Sequence, residues 1–260
     1  MTNDASRSPL KAAPLRNPGQ SLDRQISDLI YDTGVPYLLA ACFAGVLAAM
    51  EWLRSWVDPQ PRPVLYTVIA AIAVGIYAWK FRSISRELRQ LRQGRDGERI
   101  VGQFLEDLRE QGHRVIHDIP GEKFNIDHVV IGPHGVFTVE TKTISKPARG
   151  ESKITFDGEH VFVRGFKLDR DPVVQARAEA TWLKTFFQES AGHKVVVQPI
   201  VVYPGWFVED PPKGTKSDVW VLNPKVLPSF IEHHREKLSP EDVKLLSYHL
   251  SRYVRAENAE

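Results

Sequence analysis

Residues 125–143, Asn-Ile-Asp-His-Val-Val-Ile-Gly-Pro-His-Gly-Val-Phe-Thr-Val-Glu-Thr-Lys-Thr, decide the fold. Two β-branched, largely apolar runs, Asn125 to Gly132 and Val136 to Thr143, flank the tight-turn sequence Gly132-Pro133-His134-Gly135. They predict an antiparallel hairpin. Closed symmetrically about Pro133 and His134, it sets Asp127 directly opposite Glu140. Lys142 falls on the same face, because strand side chains alternate with period two. Two carboxylates facing each other at about 5 Å repel and destabilise a hairpin. The pattern therefore implies something positive between them. Mg²⁺ takes one or two carboxylates and otherwise keeps its waters, and Lys142, one pleat on, is placed to orient or activate such a water.

Elements on either side extend the sheet. Arg114 to Ile119 reads as a strand, as do Lys153 to Phe156 and Val161 to Val163 around the turn signal Asp157-Gly158. Asp171-Pro172 opens a helix to Gln188 with Val174, Ala178, Trp182 and Phe186 on its apolar stripe and Gln175 beside it. Val195 to Tyr203 is an apolar strand whose Pro199 predicts a bulge or an edge position. Val219 to Leu222 adds a strand, and Lys225 to Glu236 and Pro240 to Val254 close as helices. Upstream, Gly94 to Gly97 is expected to break a helix. Glu98 to Glu110 restarts it, with Val101, Phe104, Leu105 and Leu108 buried and Glu98 continuing that inward stripe. Glu98 is either a member of the site or an acid on the helix dipole. The fold class expected is a mixed α/β sheet flanked by helices.

The amino-terminal third differs in kind. Residues 1–35 are rich in Pro, Ser, Asn and charge and read as a tail with one short helix near Leu22 to Tyr31. Pro36 to Leu53 and Val64 to Trp79 are apolar on every face and near the lower limit of roughly 17–25 residues for a spanning helix. Asp58 to Pro63 is a proline-rich turn between them, and Trp52, Trp56, Tyr66, Tyr77 and Trp79 gather at the ends of the runs. Lys80, Arg82, Arg86, Arg89, Arg92 and Arg95 follow the second run, and Arg7, Lys11, Arg16 and Arg24 precede the first. The excess of basic residues on that side predicts a hairpin in the inner (plasma) membrane with both termini cytoplasmic. The long leader and the prompt second run argue against a cleaved signal peptide. The expected organisation is a tail over 1–35, a membrane hairpin over 36–81, a basic helix over 82–94, the α/β domain over 95–208, and a further strand and helices over 209–260.

A net charge of +2 implies no polyanionic partner by itself, and the single Cys42 allows no internal disulfide. His113, His117, His128 and His134 lack metal-ligand spacing and read as structural or exposed. His233 and His234 are adjacent and share no helix face. No phosphate loop of the Gly-x-x-x-x-Gly-Lys-Ser/Thr type occurs.

In order, Glu98, Asp127, Glu140-Thr141-Lys142 and Gln175 resemble the PD-(D/E)xK nuclease superfamily. Gly97-Glu98, Asn125 to Val130, Gly135-Val136-Phe137, Glu140-Thr141-Lys142 and Asp171-Pro172-x-x-Gln175 together look like the nuclease-related domain (NERD) family, over about residues 95 to 205. The resemblance implies a restriction-endonuclease-like core and Mg²⁺- or Mn²⁺-dependent cleavage of phosphodiesters in cytoplasmic nucleic acid, DNA before RNA. It casts Asp127 and Glu140 as metal ligands, with the Thr141 carbonyl an extra one. Lys142 positions the attacking water, Glu98 acts through the outer shell, and Gln175 contacts substrate or Lys142. Asp171 departs from the family, which more often has Asn there. Lys146, Arg149, Lys153 and Arg164 offer a basic track, or a solvated edge. Two other functions compete: a nuclease-like module that holds nucleic acid or a protein at the bilayer without cutting, and a structural membrane protein. The complete acid and lysine set argues against the last.

Overall fold

The structure is a computed structural model that describes residues 15–57, 62–122, 124–146, 153–168, 170–211, 215–235 and 237–258. It divides into two compact units, one of Ser21–Arg95 and one of Met1–Gln20 with Asp96–Glu260.

The first unit is helical. Helix α1 (Gln20–Asp28) runs through a π-helical turn, Leu29–Gly34, into α2 (Val35–Arg54), and α3 spans Pro63–Glu110. Trp52 Nε1 donates to Thr67 Oγ1 at 2.8 Å, and the Lys80 ammonium lies 5.5 Å from the centre of the Tyr37 ring. These two contacts, at opposite ends of the runs, make α2 and the first half of α3 an antiparallel hairpin. Both helices are long and apolar enough to cross a membrane. Leu39, Phe43, Met50, Ile72 and Trp79 are exposed, the reverse of a soluble protein's core helices. Most of the expected turn, residues 58–61, lies outside the described residues.

Helix α3 corrects one expectation. No break occurs at Gly94 to Gly97; the basic stretch and the helix carrying Glu98 are one helix. An interior glycine costs only about 1 kcal/mol against alanine, and Gly97 is there for packing. A Cβ at that position would stand 1.9 Å from Thr143 Oγ1.

The second unit is built on a mixed five-stranded sheet of order β1-β2-β3-β7-β9. Strands β1 (Arg114–Pro120), β2 (Asn125–Gly132) and β3 (Gly135–Thr141) form an antiparallel meander, and β7 (Val197–Val202) and β9 (Trp220–Leu222) continue it in parallel. The β2–β3 register is the expected one, from Gly132↔Gly135 through Val129↔Thr138 to His128↔Val139. A smaller sheet holds β4 (Lys153–Phe156), β5 (Val161–Val163), β6 (Phe166–Lys167) and β8 (Phe207–Val208).

Each face of the large sheet has its own core. Val101, Leu105 and Leu108 of α3 cover Val115, Val130, Phe137 and Val139. On the other face, Ala180, Leu183 and Phe187 of α4 (Pro172–Ala191) and Leu246 and Leu250 of α6 (Pro240–Glu257) cover Val129, Ile131 and Val136. The stripe of α4 is therefore Val173, Ala176, Ala180, Leu183 and Phe187; Val174, which the sequence reading placed inward, is exposed. Pro199 also differs from expectation, lying in a central strand opposite Thr138. Lys142 N–H donates to Val202 O and Tyr203 N–H to Leu222 O, so the amide direction of residue 199 is towards β9. The β9 ladder starts only at Ile200↔Trp220, and the missing N–H costs no ladder bond. Helix α5 (Leu227–Glu232) contributes Leu227 and Ile231 to the same core as Val101.

Residues read as tail contribute to this unit. Leu15 packs on the second core, the Arg16 guanidinium lies 3.6 Å from Asp118 Oδ2, and Arg16 Nε donates to Asn258 Oδ1 at 2.5 Å.

Gly132 ends β2 beside the buried ring of His113, to which an added Cβ would approach within 1.9 Å. That ring is stacked on His134 and cannot swing aside. Gly132→Ala is expected to cost about 1–3 kcal/mol of overpacking, read as a lower urea midpoint at unchanged slope.

Candidate functional site

Strand β3 delivers Glu140, buried at 3% exposure, and the chain just beyond it delivers Lys142 on the same face. Lys142 Nζ donates to Glu140 Oε1 at 2.5 Å and to Gln175 Oε1 of α4 at 2.8 Å. The amide of Gln175 donates through Nε2 to Glu179 Oε1 at 2.8 Å, and the Glu179 carboxyl, when protonated, can donate to Glu140. Four side chains thus close a ring across the β3–α4 interface. Asp127 stands at its edge. It drops out of both neighbouring ladders, between Ile126 and His128, and its Oδ2 accepts the Thr141 N–H at 2.7 Å. N–H and C=O of an extended residue point to one side, so the Thr141 carbonyl is directed towards Asp127 as well.

Glu98 reaches the same acids from α3. It is buried and accepts the backbone N–H of Gly19, and it interacts electrostatically with Asp118, Glu140 and Lys142. Beside it the strand bends. Asp118 adopts a positive φ of 51° in the middle of β1 and is held by Arg16 and by Asn125 Nδ2 at 3.2 Å.

The site is overloaded with carboxylates relative to cations, and its protons reflect that. Burial pushes Glu98 up to about 8, helped by Asp118 and Glu140. Burial and the neighbouring Glu140 push Glu179 up to about 10. Asp127 is raised by burial and then by Glu140, Glu98 and Glu179. Lys142 is desolvated, which alone would lower it, but Glu140, Asp127 and Glu179 hold it charged and raise it. Glu179 therefore carries a proton at neutral pH and can donate it to Glu140. That proton accounts for two buried oxygens, Glu140 Oε2 and Glu179 Oε2, that have no other hydrogen-bond partner among the described residues.

A hard divalent cation fits this donor set, which is all oxygen and short of positive charge. A cation at Glu140 Oε2 would take the place of the Glu179 proton there, and Asp127 stands close by, held by the Thr141 N–H. Among the described residues, however, no three acids or histidines stand as a ready-made ligand cluster. Lys142 and the Thr141 N–H occupy one oxygen each of Glu140 and Asp127.

The five side chains singled out in the sequence, Glu98, Asp127, Glu140, Lys142 and Gln175, thus come together, with Thr141 contributing its backbone. Glu179 was missed because the wrong stripe was assigned to α4; with Ala176 and Leu183 inward, a glutamate between them is buried, one turn from Gln175. Arg149 of the basic track lies outside the described residues, and Lys153 is paired with Glu209 at 2.7 Å. His117 and His128 are buried and bonded to each other through Nδ1 at 2.8 Å, a structural pair.

The raised carboxyls make a pH prediction. Above pH 4.5 the unfolded chain releases the Glu179 proton, whereas the folded protein keeps it up to about 10; Glu98 behaves alike up to about 8. The folded state binds more protons, so stability is full below the unfolded value and falls as pH rises. Between pH 7 and 9, above the range where the buried histidines titrate, each such group contributes a slope of up to about 1.4 kcal/mol per unit. Urea unfolding in chelator should show the decline, and Glu179→Gln should flatten it.

Residues 93–204 match the family model described as the nuclease-related domain. No curated protein matches the chain. Among solved structures, Pyrococcus furiosus SfsA in complex with Ca²⁺ is similar, at 18% identity over 50% of this chain and 54% of that one, with a TM-score of 0.24. The chain thus spans about half the length of that structure. The match to the nuclease-related domain (NERD) family model runs from within α3 to just past β7.

Proposed function

We propose that the protein is a metal-dependent nuclease that hydrolyses phosphodiester bonds of cytoplasmic nucleic acid, anchored to the plasma membrane by α2 and the first half of α3. The observation that carries this reading is Lys142, a charged ammonium held between Glu140 and Gln175 at the edge of an acid cluster. Asp127 and Glu140, with the Thr141 carbonyl, would hold Mg²⁺ or Mn²⁺. Such an ion supplies Lewis acidity towards a phosphoryl oxygen and lowers the pKa of bound water.

The chain's own residues do the rest. Lys142 stays protonated, so it orients the attacking water or neutralises charge growing on the scissile phosphate; it does not act as a base. Gln175 fixes the Lys142 rotamer and is itself fixed by Glu179. Glu98 shapes the outer shell. The anchor rests on the exposed apolar faces and on the basic residues around Arg82 to Arg95, which suit the cytoplasmic side.

A second reading, a non-cleaving nucleic-acid- or protein-binding module at the bilayer, is favoured by one observation: Lys142 and the Thr141 N–H already satisfy an oxygen each of Glu140 and Asp127. One experiment separates the two. Full-length protein in detergent is incubated with single- and double-stranded DNA and RNA in Mg²⁺, Mn²⁺ or chelator. Metal-dependent strand scission supports the nuclease; binding without scission across the whole panel supports the module. A carboxy-terminal reporter fusion found outside the cytoplasm would overturn the topology.

A further inference from the structure

The loop between β4 and β5 places a histidine, unused by the reading above, against Asp171 at the start of α4, the helix that carries Gln175. Asp157 Oδ1 accepts the N–H of Glu159 at 2.8 Å and of His160 at 2.7 Å, and Gly158 takes a φ of 104°. This turn fixes the backbone of His160. Its ring is then fixed by Asp171: Nδ1 and Asp171 Oδ2 are 2.7 Å apart. Asp171 is doubly employed, since its Oδ1 caps α4 by accepting Val173 N–H at 3.0 Å. With Nδ1 committed as donor, Nε2 is the outward nitrogen: a lone pair on the neutral ring, an N–H on the charged one. The ring is 38% exposed, while its carboxylate partner is 14% exposed.

Two observations tie this pair to the site. Gln175 N–H donates to Asp171 O at 3.3 Å, so Asp171 lies one helical turn, about 5.4 Å of axis, from the residue that holds Lys142. The fully buried Tyr203 hydroxyl, without a hydrogen-bond partner among the described residues, interacts electrostatically with both Asp171 and Glu140. The Tyr203 hydroxyl therefore lies within electrostatic reach of both carboxylates.

We propose that His160, oriented by Asp171, is a substrate-contacting residue that binds a backbone phosphate next to the scissile one. This rests on the nuclease reading and deepens it. A phosphate oxygen accepts from Nε2–H of the charged ring in a charge-assisted hydrogen bond. Asp171 holds the ring through Nδ1 so that Nε2 is the nitrogen left for that contact.

The substitutions are made in the full-length protein, and the probe is a fluorescein-labelled single-stranded oligonucleotide. His160→Ala is expected to raise KM about tenfold with kcat little changed, the loss of one hydrogen bond to a charged group. The slope of log binding constant against log salt should shrink by about 0.7, one phosphate contact. Asp171→Asn keeps the cap and so the fold, and should move KM and slope the same way by less. His160→Gln, which restores a donor, should recover part of KM. If the wild type cuts and binds while His160→Ala and Asp171→Asn leave KM and slope untouched, the proposal is overturned and the nuclease reading stands. If the wild type neither cuts nor binds, the nuclease reading fails and takes this one with it.

Discussion

Lys142→Ala is expected to lower phosphodiester cleavage by at least about 100-fold, the scale seen when one preorganised donor to a developing charge is removed, with Mg²⁺ affinity largely preserved. Lys142 is the only cation in a ring whose other members are two glutamates and a glutamine. A bare metal site has no use for it, because an ammonium close to a divalent ion is repelled. The carboxylates around it hold it charged, and in the proposed nuclease that charge meets the attacking oxygen or the phosphate. Asp127→Ala and Glu140→Ala should instead weaken both cleavage and metal binding. Gln175→Ala frees the Lys142 rotamer while keeping its charge, and should reduce turnover without abolishing it. Equal loss of metal affinity in Lys142→Ala and Asp127→Ala would return Lys142 to a structural role.

The largest effect on stability is expected at Arg16. Its side chain is 9% exposed and faces Asp118, which is 2% exposed. Removing one partner of a buried pair leaves a charge in a poor solvent, a loss of about 3–5 kcal/mol. Asp118 is already in a positive-φ conformation, which adds to its dependence on its partners. The comparison that gives this number meaning is Arg177. Its guanidinium makes bonds as short as 2.7 Å to Asp218, but the two side chains are 39% and 64% exposed. Arg177→Ala should cost below about 1 kcal/mol, since water and salt screen such pairs. Urea unfolding of both variants measures the contrast; equal losses would mean that Arg16 acts through surface contacts alone.

Much of the site was legible in the sequence because it lies on one hairpin. A four-residue turn fixes the register as far as His128↔Val139; Asp127, just beyond the paired stretch, does not pair with Glu140 but accepts the N–H of the next residue, Thr141. What escaped needs information that no local pattern holds. Helix α4 offers two apolar stripes, and choosing Val174 and Ala178 over Val173 and Ala176 hid Glu179. Arg16 meets Asn258 from the far end of the chain, and its neighbourhood of Pro, Asn and Ser reads as tail. The pair Gly94 and Gly97 carries a helix-breaking signal, yet close packing against Thr143 is what requires the second glycine. Pro199 likewise signals an edge, but the strand beside it stops one residue short.

The claim that these acids form a divalent-metal site is tested most directly by titrating Mn²⁺ into the full-length protein, followed by the loss of its free-ion paramagnetic resonance signal. One ion per chain is expected to bind. Binding should tighten from pH 6.5 to 8.5 as Glu98, held at about 8, gives up its proton. It should be lost in Asp127→Ala and Glu140→Ala and kept in Lys142→Ala. No bound Mn²⁺ at either pH, or binding indifferent to Asp127→Ala, would contradict the account.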